Sequence, residues 1–460
     1  MTDGRYVRDA RADLPGTFDH GKMGDESMKR RFTMLLFMLL TVGGLLAACS
    51  SGGRPQSSGN DASPGNAGGQ VTINFFDWTD EQSYMTKVVE AFEAKYPDIK
   101  VNANFIPSSD YTQKILVNLS TGGGDMDVFA TQSTSNLAEY ISKDVLEPLD
   151  DIAGSEVLAG NRDAIEQLRY DGHIYGLPYR TSKWVLYYNK DLFDQAGIPY
   201  PDASWTWERY AEVAKALSGG NGQDRVYGSL SYPARNTWWR VLANIEGANN
   251  PLEPEHLEVF KKALEYYYNL TYVDGSQQPF GELVGDAGSD FAGRFLQGKT
   301  AMMWNGDWAV QMLNEQIEEK GVPLNYDVAP LPHWEGSEPA TTGSFAVIMV
   351  NKESKHKDAA KKFAEFVASE EAAKIFVSNG LLSPWGTDGV KQAFLENVTK
   401  PENVGVFSDP IKVMSQVPMD PLYNQGIKIV EEEASLYLLQ EQTLEQTFEK
   451  IRNRIQAEVK

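Results

Sequence analysis

Three short stretches carry the residue types that bind polar ligands. Asp77-Trp78 sets a carboxylate beside an indole. Such a tryptophan can lie on the C–H face of a sugar ring while the acid accepts its hydroxyls, or it can fold back on a core. Trp238-Trp239-Arg240 holds two adjacent indoles that cannot face the same way on a regular element, so one packs inside while the other packs too or reaches a cleft. Met302-Met303-Trp304-Asn305-Gly306-Asp307-Trp308 runs from apolar residues into a turn. Gly306 lets the backbone bend there, and Asp307 is placed to cap a helix through Ala309, Met312 and Leu313. Within this stretch Trp304 is the expected stacking surface.

Other chemistries are poorly served. Gly122-Gly123-Gly124-Asp125 lacks the Lys and Ser/Thr of a phosphate loop and reads as a helix stop. His20, His173, His256, His333 and His356 are scattered without zinc spacing, and Asp286 and Asp290 lack the rest of a calcium loop. There is no GxSxG. A carboxylate pair for glycoside hydrolysis can lie anywhere in a chain, so its presence among 64 acidic residues decides nothing. No catalytic residue, metal ligand or cofactor is therefore assigned. A net charge of −22 argues against a nucleic-acid partner, because phosphate binding needs a basic surface.

The sole cysteine, Cys49, ends Leu46-Ala47-Ala48-Cys49. Lys29, Arg30 and Arg31 precede it, and residues 32–48 carry no charge. A basic region, an apolar core and small residues make a secretory signal. The apolar run falls short of the about 20 residues a spanning helix needs. The motif resembles a bacterial lipobox, which implies a lipid on Cys49 of the mature chain. An uncleaved anchor helix would give the same topology without the lipid. The residues before Met28 are polar and fit no targeting segment, so translation is expected to begin at Met28. Residues 1–48 are thus an extension plus signal. Residues 49–70, almost all Ser, Gly, Asn, Pro and Ala, are a tether that cannot bury a core.

The three stretches need elements to hold them. Val71, Ile73 and Phe75 alternate with polar residues, as in a strand. Thr79 and Gln82 have capping-box spacing, Met85, Val88, Val89 and Phe92 follow at helical spacing, and Pro97 stops the helix. Ile99, Val101, Ala103 and Phe105 alternate again. Ile115, Leu116 and Leu119 suggest a second helix, and Asp127-Val128-Phe129-Ala130 a buried strand. Strand, helix, strand, helix, strand predicts an α/β fold with a parallel sheet between helices. Ligands of such sheets sit beyond the carboxyl ends of the strands, here Asp77-Trp78, Ser108-Ser109-Asp110 and Thr131-Gln132-Ser133. A folded part from about residue 71 to 460 is long enough for two domains.

Further segments occur in a fixed order: VTINFFDW, AFEAKYPDIKV, GGGDMDVFA, LEPLDD, DGHIYGLPYRTSKWVLYYNKDLFDQAGIPYPDASWTWERYAEVAKAL, FLQGKTAMMWNGDW, DVAPLP and TTGSFAVIMVNKESKHKDAAKKFAEFVASEEAAKIFVSNGLLSP. In these the chain resembles the family 1 extracellular solute-binding proteins of ABC importers, whose best-known relatives bind maltose and other sugars. The resemblance implies a periplasmic-binding-protein-like α/β fold with two lobes, a hinge crossed several times, and a ligand cleft between. It implies a first lobe of residues 71–179 and 344–382 and a second of 180–343 and 383–460. In the first lobe it implies cleft positions at Asp77, Trp78, Ser109, Asp110 and Ser133. Around the crossings it implies Arg180, Gly343 and Trp385. In the second lobe it implies Trp238, Trp239, Trp304 and Asp307. The implied protein is not an enzyme but a monomer on the outer face of the cell membrane, held by its lipid, that passes a carbohydrate, an oligosaccharide by preference, to ABC permease subunits. A surface-anchored carbohydrate-active enzyme and a sugar-sensing subunit are the competing readings.

Overall fold

The computed structural model describes residues 70–230, 238–285, 291–409 and 411–460. The signal, Cys49, most of the tether and Asp286 and Asp290 lie outside them. The alternation at Val71 becomes strand β1 (Val71–Trp78), followed by helix α1 (Gln82–Lys95), β2 (Ile99–Ile106), α2 (Ser108–Ser120), β3 (Val128–Thr131), α3 (Thr134–Ser142) and β4 (Leu177–Thr181). Met85, Val88, Val89 and Phe92 are the buried face of α1, as their spacing requires. The capping box expected from Thr79 does not form. Residues Thr79–Glu81 make a 3-10 turn, and Glu81, at the N-cap of α1, turns its carboxylate to Arg180 instead.

The chain continues through β5 (Trp184–Asn189), α4 (Trp207–Ala216), β6 (Tyr227–Leu230), α5 (Pro254–Tyr268), β7 (Thr300–Gly306), α6 (Trp308–Lys320), β8 (Tyr326–Ala329) and β9 (Ala340–Gly343). It then enters β10 (Phe345–Val350), α7 (Lys357–Val367), α8 (Glu370–Ser378), β11 (Lys412–Ser415) and α9 (Tyr423–Leu438).

Two separate sheets result. The first has the order β2-β1-β3-β10-β4, the second β6-β7-β5-β8, and β9 and β11 form a parallel pair. The first sheet is not purely parallel. β1 runs parallel to β2 and β3, but β10 is antiparallel to both β3 and β4. The reason is the path of the chain. β4 leaves the sheet at the carboxyl ends of β1 and β3, the chain builds the second sheet, and β10 must re-enter where β4 left. In the second sheet β5 starts at that same junction, so β7 and β8, antiparallel to it, finish there. β6, parallel to β7, finishes there too.

Each sheet has its own core. One draws on residues between Ile73 and Tyr179 and between Ala346 and Leu381. Another joins Trp184, Leu186 and Trp304 to α4, α5 and α9. A third lies on the other face of the second sheet, from Val185 and Met303 out to Trp385 and Phe394. The architecture is two α/β lobes, with the carboxyl ends of most strands turned to the junction.

Candidate functional site

Three crossings of the chain meet at that junction. The first is the short link from β4 to β5, the second the link from β9 to β10, and the third follows α8. They are bonded to one another. The Thr181 amide donates to the Leu382 carbonyl at 3.1 Å, and the Ser182 amide to the Ser344 carbonyl at 3.0 Å. The Ser344 amide donates to Ser182 Oγ at 3.0 Å. Gly343 is demanded by this proximity, since a Cβ there would fall 2.0 Å from the Ser182 carbonyl oxygen. The resemblance also put Gly343 at the cleft, and that assignment stays a proposal.

Charged groups gather at the same place. Arg180, at the end of β4, donates through Nη1 to Glu81 and to the Tyr84 hydroxyl, the latter at 3.2 Å. Tyr179 donates to the second oxygen of Glu81 at 3.4 Å. Asp77, at the end of β1, is fully buried, and its Oδ1 accepts from the Trp78 amide at 2.9 Å. Its Oδ2 has no hydrogen-bond partner. Burial first, and the neighbouring Glu81 second, push the Asp77 carboxyl well above the usual range. Asp307, just past β7, is also buried, with Oδ1 accepting from the Lys183 amide at 3.1 Å. Its Oδ2 has no partner, although the Leu382 amide faces the carboxyl and favours its charge. Burial raises it to about 6, with Arg180 pulling the other way. The expected cap to the next helix is corrected. Asp307 sits at the N-cap of α6 but makes no side-chain cap bond, because its carboxylate is engaged by the crossing strand.

The tryptophans divide differently from expectation. Trp304 is wholly enclosed, edge-on to Trp207 and to Tyr210 at 5.4 Å each. Every residue of β7 is buried, so Trp304 points into the second core and offers no ring face to a ligand. Trp239 is enclosed likewise, edge-on to Phe260 at 5.8 Å. The Trp238 side chain lies outside the described groups. Trp78 belongs to the first core, edge-on to Tyr111 at 5.6 Å. Trp385 is fixed by Nε1 donating to the Ala368 carbonyl at 2.9 Å, and its ring lies over Gly160, where a Cβ would come within 2.4 Å. Trp304, Trp239, Trp78 and Trp385 are each held in packing, which was one of the two alternatives open for Trp239 and Trp78, and the cleft positions that the resemblance implies at all four stay proposals.

Trp308, in the same Met302–Trp308 stretch, is half-buried; the sequence marks its loop as a candidate but does not single it out as a ligand position. It opens α6, meets the edge of Trp184 at 5.4 Å and 90°, and lies over Gly306, where a Cβ would fall 2.0 Å from its ring. The signal was available. A strand ending at Gly306 leaves the residues after it, and not Trp304 within it, at the ligand end. Glu81 and Lys183 were also missed, and nothing local marks them, since their partners lie far along the chain. Ser109 and Asp110 open α2 at the surface, with Asp110 paired to Lys114 at 3.3 Å. Ser133, just before α3, meets Ser135 Oγ at 2.7 Å. These three lie at strand ends but do not touch the Arg180 group by any bond described.

The arrangement can hold a polyhydroxylated solute: a half-buried indole, two buried carboxyls each with an oxygen lacking a hydrogen-bond partner, and a guanidinium at the junction. Comparison with known proteins agrees. The model of the bacterial extracellular solute-binding protein family matches residues 77–374. A Brucella abortus protein named only as a binding protein is 29% identical over 324 residues, 68% of this chain and 75% of that one. The arabinooligosaccharide-binding protein of Bacillus subtilis is 24% identical over 416 residues, 85% of this chain and 88% of its own. Among solved structures, an ABC substrate-binding protein of Listeria monocytogenes in complex with cycloalternan is similar at a TM-score of 0.72 and 27% identity, covering 84% of this chain and 99% of that one. Two lobes, strand ends gathered at a thrice-crossed junction and a family match over most of the folded part lead to one conclusion: the chain belongs to the bacterial extracellular solute-binding proteins.

Proposed function

We propose that this protein captures a carbohydrate, and by preference an oligosaccharide, between its lobes and delivers it to the permease of an ABC transporter. The observation that carries the reading is Trp308, a half-buried indole directly after Asp307, whose carboxyl feels the Arg180 charge. Its accessible part suits the C–H face of a sugar, while Asp307, Asp77 and Arg180 suit its hydroxyls. The Bacillus and Listeria relatives, named for an arabino-oligosaccharide and a cyclic saccharide, support the choice of ligand class. Ser109, Asp110 and Ser133 are assigned to the rim, and Trp238 keeps the ligand role that the resemblance implies.

A ligand that touches both lobes favours the closed arrangement, and the permease reads that shape. The working lobes are residues 71–179 with 344–382, and 180–343 with 383–460. Lipid on Cys49 keeps the monomer at the membrane and raises its concentration near the permease. A thermal-shift screen over mono- and oligosaccharides tests the ligand class. A melting rise with a neutral oligosaccharide is expected, and a response only to amino acids or peptides would refute it. For the anchor, Cys49→Ala should leave protein that is uncut or released from cells, whereas normal processing and anchoring of that variant would refute lipidation.

A further inference from the structure

The segment between β11 and α9 behaves as part of the second lobe. The Gln416 amide donates to the Gly343 carbonyl at 2.9 Å, Asn249 Nδ2 to the Ser415 carbonyl at 2.8 Å, and Asn250 Nδ2 to Asp420 Oδ2 at 2.9 Å. At the start of α9, Arg240 donates to the Tyr423 hydroxyl at 2.5 Å, and Tyr423, Ile427 and Val430 are buried in the second core.

The neighbour of Tyr423 does the opposite. Asn424 Oδ1 accepts from Ser135 Oγ at 3.1 Å, and its Nδ2 donates to Asn136 Oδ1 at 2.9 Å and to Glu139 Oε2 at 3.0 Å. All three partners sit on α3, whose Leu137 and Tyr140 belong to the first core. An amide has four hydrogen-bonding positions, and three of them here reach across to the other lobe. Two further contacts follow the same line: Thr134 Oγ1 donates to the Val417 carbonyl at 2.6 Å, and Met419 packs against the first core. Helix α3 begins directly after β3, so this seam lies at the ligand end of the first sheet.

We propose that Asn424 is a closing latch, a side chain that holds the lobes together from the protein's own bonds and so sets how far the cleft shuts before any sugar arrives. The bonds form only when the lobes approach, since α3 and α9 are fixed in different cores. The latch rests on the reading that the lobes hinge. It adds that a share of the closing energy comes from the α3–α9 seam, outside the Arg180 group.

The test is small-angle scattering of the free chain carrying Cys49→Ala, so that no lipid holds it. Asn424→Ala should increase the radius of gyration. Asn424→Asp should increase it further, because a carboxylate cannot donate to Asn136 and repels Glu139. Ser135→Ala with Asn136→Ala should reproduce most of the expansion from the other side of the seam, and adding Asn424→Ala to that pair should add little. Thermal melts report whether each variant folds, and if Asn424→Asp does not, the Ser135/Asn136 pair decides. Radii equal to the parent in folded variants overturn the latch. If the parent still contracts on adding a sugar found by thermal shift, the latch alone falls. If neither sugar nor substitution changes the radius, the hinge falls with it.

Discussion

Asp307 and Lys183 hold each other by two hydrogen bonds of 3.1 Å, one from the Lys183 amide to Asp307 Oδ1 and one from the Asp307 amide to the Lys183 carbonyl. The end of β7 is thereby tied to the first crossing. Because burial raises the Asp307 carboxyl to about 6 from an ordinary 3.8, the folded state binds this proton more tightly than the unfolded chain does. The contribution to stability is fully present below about pH 4 and is lost as pH rises through about 6. At about 1.4 kcal/mol per tenfold change in proton affinity, the effect is on the order of 3 kcal/mol. Asp77 and Glu81 act with the same sign. Denaturant unfolding of wild type and Asp307→Asn at pH 4.5 and pH 7 isolates the Asp307 part. Wild type should lose more stability than the variant between the two, and parallel losses would exclude Asp307 as the source.

Trp304→Ala should act on the fold. Removing an enclosed indole from between Trp207 and Tyr210 opens a cavity costing about 3–5 kcal/mol. A melt that barely moves would mean the ring is not packed as described.

Trp308→Ala should do the reverse. The ring is only partly buried against the second core, so the melting temperature should fall less than in Trp304→Ala. Loss of an indole platform should weaken sugar binding about ten- to hundredfold, since each 1.4 kcal/mol is a factor of ten. Calorimetric titration with the sugar found by thermal shift reads this directly, and intact affinity would remove Trp308 from the site.

Gly343→Ala should disturb the junction itself. The added methyl would meet the Ser182 carbonyl at 2.0 Å, and neither backbone can give way without breaking the Ser182–Ser344 bonds. A loss of about 1–3 kcal/mol is expected, as for overpacking elsewhere. A neutral substitution, measured by denaturant unfolding, would show the crossings to be more pliable than their bonding suggests.

Much of the first lobe was legible in local pattern, for physical reasons. Val71, Ile73 and Phe75 alternate because one sheet face is buried, and Met85 to Phe92 repeat because one helix face is. The antiparallel β10 was not legible, because its direction follows from where β4 departs, and no local pattern records that. The site was read less well. Trp304 looked like a ligand surface by its company of Gly306 and Asp307, yet β7 is buried on both faces, so residue type alone could not separate a core indole from a cleft one. Trp308 differs from it by lying beyond the strand end. Arg180 was picked out as a donor fork, but its partner Glu81 could be found only by folding.

The place of β10 between β3 and β4 has a consequence for biosynthesis. The first sheet keeps a gap between β3 and β4 until the chain has been made past Val350, because β10 is synthesised after the whole of the second sheet. Contacts this distant in sequence are slow to form. A nascent chain emerging from the ribosome can build β1, β2 and β3 but cannot finish the lobe they belong to. The first lobe therefore completes its core only after the strands of the second sheet have been made.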